Sequence, residues 1–125
     1  MSMEIKRTDV LRLKYNGAAI KNRMAMALKV QMRTPTKENP IANMTVQYLV
    51  TLCDEDEDNS TAFEARIGIA LIVDPPDDAK TPEMQQRLLQ TTYPYFVSKI
   101  NQITQALDMD EINLPSLDEF LSNSN

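Results

Sequence analysis

Five consecutive carboxylates, Asp54 to Asp58, form the densest group of side chains that could hold a cation or move a proton. Asp54, Asp56 and Asp58 match the first half of a calcium-binding loop, in which alternate oxygen ligands wrap a hard cation. The second half fails, because Asn59 stands where the loop needs glycine for its sharp turn and Ala65 where a bidentate glutamate closes the site. The run therefore reads as a solvated hairpin tip or an acidic docking patch, and no metal is expected. Cys53 is the only cysteine, so no internal disulfide can form. Its thiol falls at the end of an apolar run and has no histidine to activate it, because the chain contains none. The same absence excludes Ser-His-Asp and Cys-His catalysis, Glu-x-x-His metal sites and almost every zinc arrangement. Only carboxylates or Lys99 could serve a catalyst, and the chain is expected not to be an enzyme.

The elements that must position these groups follow from hydrophobic period. At 125 residues the chain is one domain, residues 1–125, large enough to bury a core. Glu4 to Tyr15 mixes charges with Val10, Leu11 and Leu13 and predicts an edge strand, followed by a turn at Asn16 and Gly17. Met24, Met26, Leu28, Val30 and Met32 then alternate with smaller or polar residues, a period of two that places five large apolar groups on one face. Two prolines between Thr34 and Pro40 end that strand. Met44, Val46, Tyr48, Val50 and Leu52 repeat the pattern, and Phe63, Ala65, Ile67, Ile69, Leu71 and Val73 repeat it again. Gly68 and Ala70 on the other side of this last strand make a thin spot, or room for another chain to approach. Short connections predict an antiparallel sheet.

A different period follows. Leu89, Tyr93, Phe96, Ile100, Ile103 and Leu107 step by four, three, four, three and four, and the stripe stays in phase across Pro94. A proline in a helix removes a donor and crowds the preceding turn, so this predicts one long helix with a kink, capped by Thr81 and opened by Pro82 and Glu83. Asp108, Asp110 and Glu111 close it with charges that oppose the helix dipole. Ser116 and Glu119 in capping-box spacing predict a short last helix through Leu117, Phe120 and Leu121. The fold class is α+β: a four-stranded antiparallel sheet, a long kinked helix over its apolar face, and a short C-terminal helix.

Charge is unevenly spread along the chain. Residues 1–37 hold nine lysines and arginines against Glu4 and Asp9, a balance of +7, whereas residues 38–125 hold four against sixteen carboxylates, a balance of −12. Segregation of these in the fold would suit self-association or an oppositely charged partner. Nucleic acid is not expected, since the basic third lacks interleaved aromatics to stack bases. No apolar run reaches the length of a membrane span and the N-terminus has no signal-peptide pattern, so a cytoplasmic protein with no membrane insertion is expected. The eight methionines suit either a core or an adaptable apolar surface.

The order of these motifs resembles the SecB protein-export chaperones and their relatives. The matches are Glu4 to Arg7, Thr61 to Phe63, Gly68 and Ile69, Pro94 and Tyr95, Asn113 and Leu114, and Phe120, together spanning roughly residues 3 to 121. The resemblance implies a homo-oligomer, a dimer or dimer of dimers, that holds unfolded or extended polypeptide in apolar grooves without nucleotide, metal or other cofactor. It implies a groove bordered by Tyr15, Met24, Met26, Tyr95 and Phe120. It also implies an outer sheet face that docks the translocation ATPase through acidic residues, and here the chain departs: Arg12, Asn16 and Arg66 take those positions and Glu64 the preceding apolar one. The family's extended C-terminal tail has no counterpart after Leu121. The expected function is therefore holdase-type polypeptide binding, with a dedicated interaction module for one fixed partner, outside protein export, as the alternative.

Overall fold

A computed structural model describes residues 2–17, 24–33, 43–54, 61–74, 82–109 and 112–123 of the chain. Four strands come first: β1 (Ser2–Tyr15), β2 (Met24–Arg33), β3 (Asn43–Asp54) and β4 (Thr61–Asp74). Two helices follow, α1 (Pro82–Ala106) and α2 (Leu117–Asn123). The sheet is antiparallel throughout in the order β1-β4-β3-β2, so β1 and β2 form its two open edges. The expected turns at 34–40, 55–60 and 75–80, the cap at Thr81 and the charges at Asp110 and Glu111 lie outside the described residues.

Register lines up the inner face in rows that cross all four strands. Tyr15, Phe63, Leu52 and Met26 make one row; Leu13, Ala65, Val50 and Leu28 the next; then Val10, Ile67, Tyr48 and Val30; then Thr8, Ile69, Val46 and Met32. The alternation in β3 and β4 is the one the sequence predicts, and Val46, Tyr48, Val50, Ala65, Ile67 and Ile69 are fully buried under α1. Strand β1 departs from simple alternation. Register shifts between Ile5 and Arg7 and between Val10 and Arg12 each insert one residue, and each insertion moves the following side chains to the other face. The inward set is thus Met3 and Ile5, then Thr8 and Val10, then Leu13 and Tyr15.

On the outer face the second insertion has a use. Leu11 lies flat over Gly68, where an added Cβ would come within 2.8 Å of the Leu11 Cδ1. The thin spot at Gly68 is thus filled by the chain's own leucine.

Helix α1 runs unbroken from Pro82 through Pro94 to Ala106. Pro94 cannot donate to the carbonyl of Gln90, and both residues lie on the exposed side of the helix. Leu89, Tyr93, Phe96, Ile100 and Ile103 are buried as the stripe predicts, and Leu88, Thr92 and Thr104 widen it. The helix ends in a Schellman-type turn: the Met109 amide donates to the Thr104 carbonyl at 3.1 Å and the Asp108 amide to that of Gln105 at 3.2 Å. This turn puts Asp108 at φ 53°, in the left-handed region that favours glycine, and sets its carboxylate at the negative end of the helix. Asp108→Gly is expected to stabilise the fold by about 1 kcal/mol, read as a raised denaturation midpoint, with Asp108→Asn giving about half of that.

Candidate functional site

An aromatic cluster fixes α1 and the C-terminal segment on the sheet. Tyr48 stacks on Phe96 with centroids 4.7 Å apart and meets Tyr93 edge-on at 5.7 Å, and Tyr93 stacks in turn on Phe120 at 6.0 Å. Polar tips are satisfied in series. The Thr92 hydroxyl donates to the Leu88 carbonyl at 2.8 Å, which leaves its oxygen to accept from the Tyr48 hydroxyl at 2.8 Å. The Tyr93 hydroxyl donates to the Pro115 carbonyl at 2.6 Å, tying the segment before α2 to the helix. Helix α2 opens as its capping residue predicts, with the Glu119 amide donating to the Ser116 Oγ at 3.2 Å.

Burial pushes the Tyr48 phenol from 10.0 up to about 12, with the neighbouring Tyr93 adding to the rise and the Thr92 hydrogen bond opposing it. Tyr93 moves the same way, by burial first and by the Glu119 carboxylate second. A folded-state pKa above the unfolded one stabilises fully below pH 10 and is lost as pH climbs through 12. About 3 kcal/mol of stability should therefore disappear over that window. Tyr48→Phe should cost about 1 kcal/mol at neutral pH and flatten the alkaline loss, measured as urea midpoints at pH 8 and pH 11.

Among the described residues six large apolar side chains stay exposed: Val10, Leu11, Leu13, Tyr15, Met26 and Tyr95, at 37% to 48% of their surface. Val10, Leu13 and Tyr15 occupy three successive rows on the helix-bearing face of β1, so they form a stripe along an open sheet edge. Tyr15 folds back towards Gly17, where an added Cβ would stand 2.8 Å from its Oη. Tyr95 lies on the same flank. Thr91, one helical turn earlier, donates to the Met3 Sδ of β1 at 3.5 Å, and positions four apart share a helix face. Met26 closes the Tyr15 row at the opposite edge of the sheet. Phe120 is buried against Tyr93, and the Met24 side chain lies outside the described residues. Tyr15 and Tyr95 thus stand on one flank, Met26 at the other edge, and Phe120 in the core. Val10 and Leu13 complete the stripe although they do not stand out in the sequence, because their phase depends on the β1 insertions.

The outer face carries a second constellation. One row across the sheet reads Arg12, Arg66, Leu49 and Lys29, and the row beside it reads Lys14, Glu64, Thr51 and Ala27. Arg12 Nε lies 2.9 Å from Glu64 Oε2. That oxygen is buried and has no hydrogen bond of good geometry among the described residues. Arg66 donates to Gln47 Oε1 at 3.1 Å, and Asn16 donates its amide to the Ala62 carbonyl at 2.8 Å. A depression of about 240 Å³ opens between Lys29, Gln31, Gln47, Leu49 and Arg66. Cys53 is half-buried, its Sγ 3.9 Å from the Thr61 hydroxyl.

Among the described residues no three histidine, cysteine or acidic side chains gather where a metal ion could be held, and no helix is long and apolar enough to cross a membrane. No protein-family model matches the chain, and no curated protein does. Among solved structures it is similar to the SecB-like chaperone Rv1957 of Mycobacterium tuberculosis, in complex with a ChAD peptide from the Rv1956 HigA1 antitoxin. Identity is 15% and the TM-score 0.58, over 92% of this chain and 89% of that one. At that identity the likeness is one of architecture: four antiparallel strands, one long helix and a short C-terminal helix give this chain the SecB-like α+β fold.

Proposed function

We propose that the chain is a SecB-like holdase that binds unfolded or extended polypeptide without ATP and without catalysis. The observation that carries this is the exposed stripe of Val10, Leu13 and Tyr15 along the β1 edge. A monomeric fold gains nothing from leaving these side chains in water, whereas an extended chain can lay alternate apolar residues along them. The likeness to a chaperone solved with a bound peptide supports the same reading. The open edges of β1 and β2 also suit pairing with a second copy in a dimer or dimer of dimers. Purified protein should delay aggregation of a denatured test protein on dilution and bind a labelled, permanently unfolded chain. Failure of both ends this reading.

A second reading, one fixed protein partner outside export, draws on a specific observation. The similar structure holds a peptide from an antitoxin, and the outer face here sets Arg66 and Lys29 in one row with no carboxylate partner among the described residues. Co-purification from the native cell separates the two: one stoichiometric partner favours the dedicated role and a spread of clients the holdase.

A further inference from the structure

We infer that the outer face of the sheet docks an acidic segment of a partner protein, with Lys29 and Arg66 gripping its carboxylates on either side of an apolar seat at Leu49. This goes beyond the polypeptide-binding reading and does not depend on it, since the two surfaces lie on opposite faces of the sheet. Leu49 separates the two cations in a single row, and neighbouring strands are about 4.8 Å apart, so they stand about 10 Å from one another across the depression. Lys6, Arg7 and Arg12 are each matched by a carboxylate, Glu4 at 3.1 Å, Asp9 at 2.8 Å and Glu64 at 2.9 Å. Lys29 and Arg66 have no carboxylate partner among the described residues; Arg66 has only the neutral Gln47.

A site with two unneutralised cations, two amides from Gln31 and Gln47, and an apolar floor fits one chemistry closely. It takes acidic residues flanking an apolar one, the alternation that one face of an extended segment presents. A nucleic acid fits poorly, because no aromatic side chain among the described residues faces outward here and Glu64 and Asp9 stand among the cations. A second copy meeting the site face to face fits poorly too, since a two-fold contact would set the basic row against itself.

The test uses the full chain and a fluorescein-labelled peptide repeating glutamate, serine, leucine, serine, glutamate, followed by anisotropy. Binding should weaken with added salt, and Lys29→Glu with Arg66→Glu should weaken it about tenfold. The milder pair Lys29→Gln and Arg66→Gln should weaken it about threefold while keeping the fold, checked by thermal denaturation. Binding of an unfolded apolar chain should be unchanged in both variants, which separates failure here from failure of the holdase reading. The proposal is overturned if the peptide does not bind, if the variants bind it as the parent does, or if a peptide with lysine for glutamate binds equally. It is also overturned if single-stranded DNA is the ligand that the charge reversal abolishes, or if the reversal changes the sedimenting mass of the chain alone.

Discussion

Phe96→Ala should cost about 3 to 5 kcal/mol, a large share of the stability of a domain this size, read by near-ultraviolet circular dichroism and a strongly lowered denaturation midpoint. The size follows from what the ring does. Phe96 is fully buried, stacks on Tyr48 at 4.7 Å and lies 5.8 Å from Tyr93, so removing it opens a cavity between the helix and the central strands. Collapse around that cavity is hindered on both sides. Tyr48 is held by its hydrogen bond to Thr92, and Tyr93 by its bond to Pro115 and its stacking on Phe120. The loss should therefore reach beyond the helix and loosen the C-terminal segment, seen as faster amide exchange at Phe120. Phe96→Leu keeps most of the volume and should cost about half as much. If Phe96→Ala unfolds with an unchanged midpoint, the cluster does not anchor α1 to the sheet.

Much of this architecture is legible in the sequence wherever one face meets the core without interruption. Strands β3 and β4 alternate strictly because each inward residue is buried, from Met44 to Val50 and from Ala65 to Val73. The helical stripe survives Pro94 because the proline lies on the exposed side of the helix, out of phase with the buried positions. Strand β1 is not legible in the same way. Its two inserted residues reverse the phase twice, so Val10 and Leu13 share a face although three positions apart, and no period exposes this. Strand order is not legible either, since neither β1 nor β4 carries a signal that they pair. Nor does residue type reveal exposure at the candidate site. Tyr15 and Phe120 look alike as aromatic residues near strand and helix ends, yet one is exposed and the other stacks on Tyr93. Register also sets Arg12, Arg66 and Lys29 in one outer row, a juxtaposition that the charge split does not foretell, since Arg66 comes from the acidic part of the chain.

Leu13→Ser combined with Tyr15→Ser should lower affinity for an unfolded chain by about thirtyfold or more while leaving the fold stable. The argument is a difference of environments. Both side chains lie on the helix-bearing face but keep about two-fifths of their surface in water, 42% and 39%. A bound polypeptide would cover that remaining surface. Apolar burial contributes about 25 cal/mol per Å², so roughly 80 Å² newly covered gives about 2 kcal/mol, a factor of about thirty. Folding already covers the other three-fifths, roughly 120 Å² on the same scale, so the same substitutions should cost the fold about 3 kcal/mol, which the denaturation midpoint measures separately. Val10→Ser alone should act in the same direction and more weakly. Lys29→Gln with Arg66→Gln, on the other face, should leave this affinity intact. Unfolded-chain binding that survives the Leu13 and Tyr15 substitutions would move the client site off the β1 flank, and Met26, exposed at the other open edge in the same row as Tyr15, would be the next residue to replace.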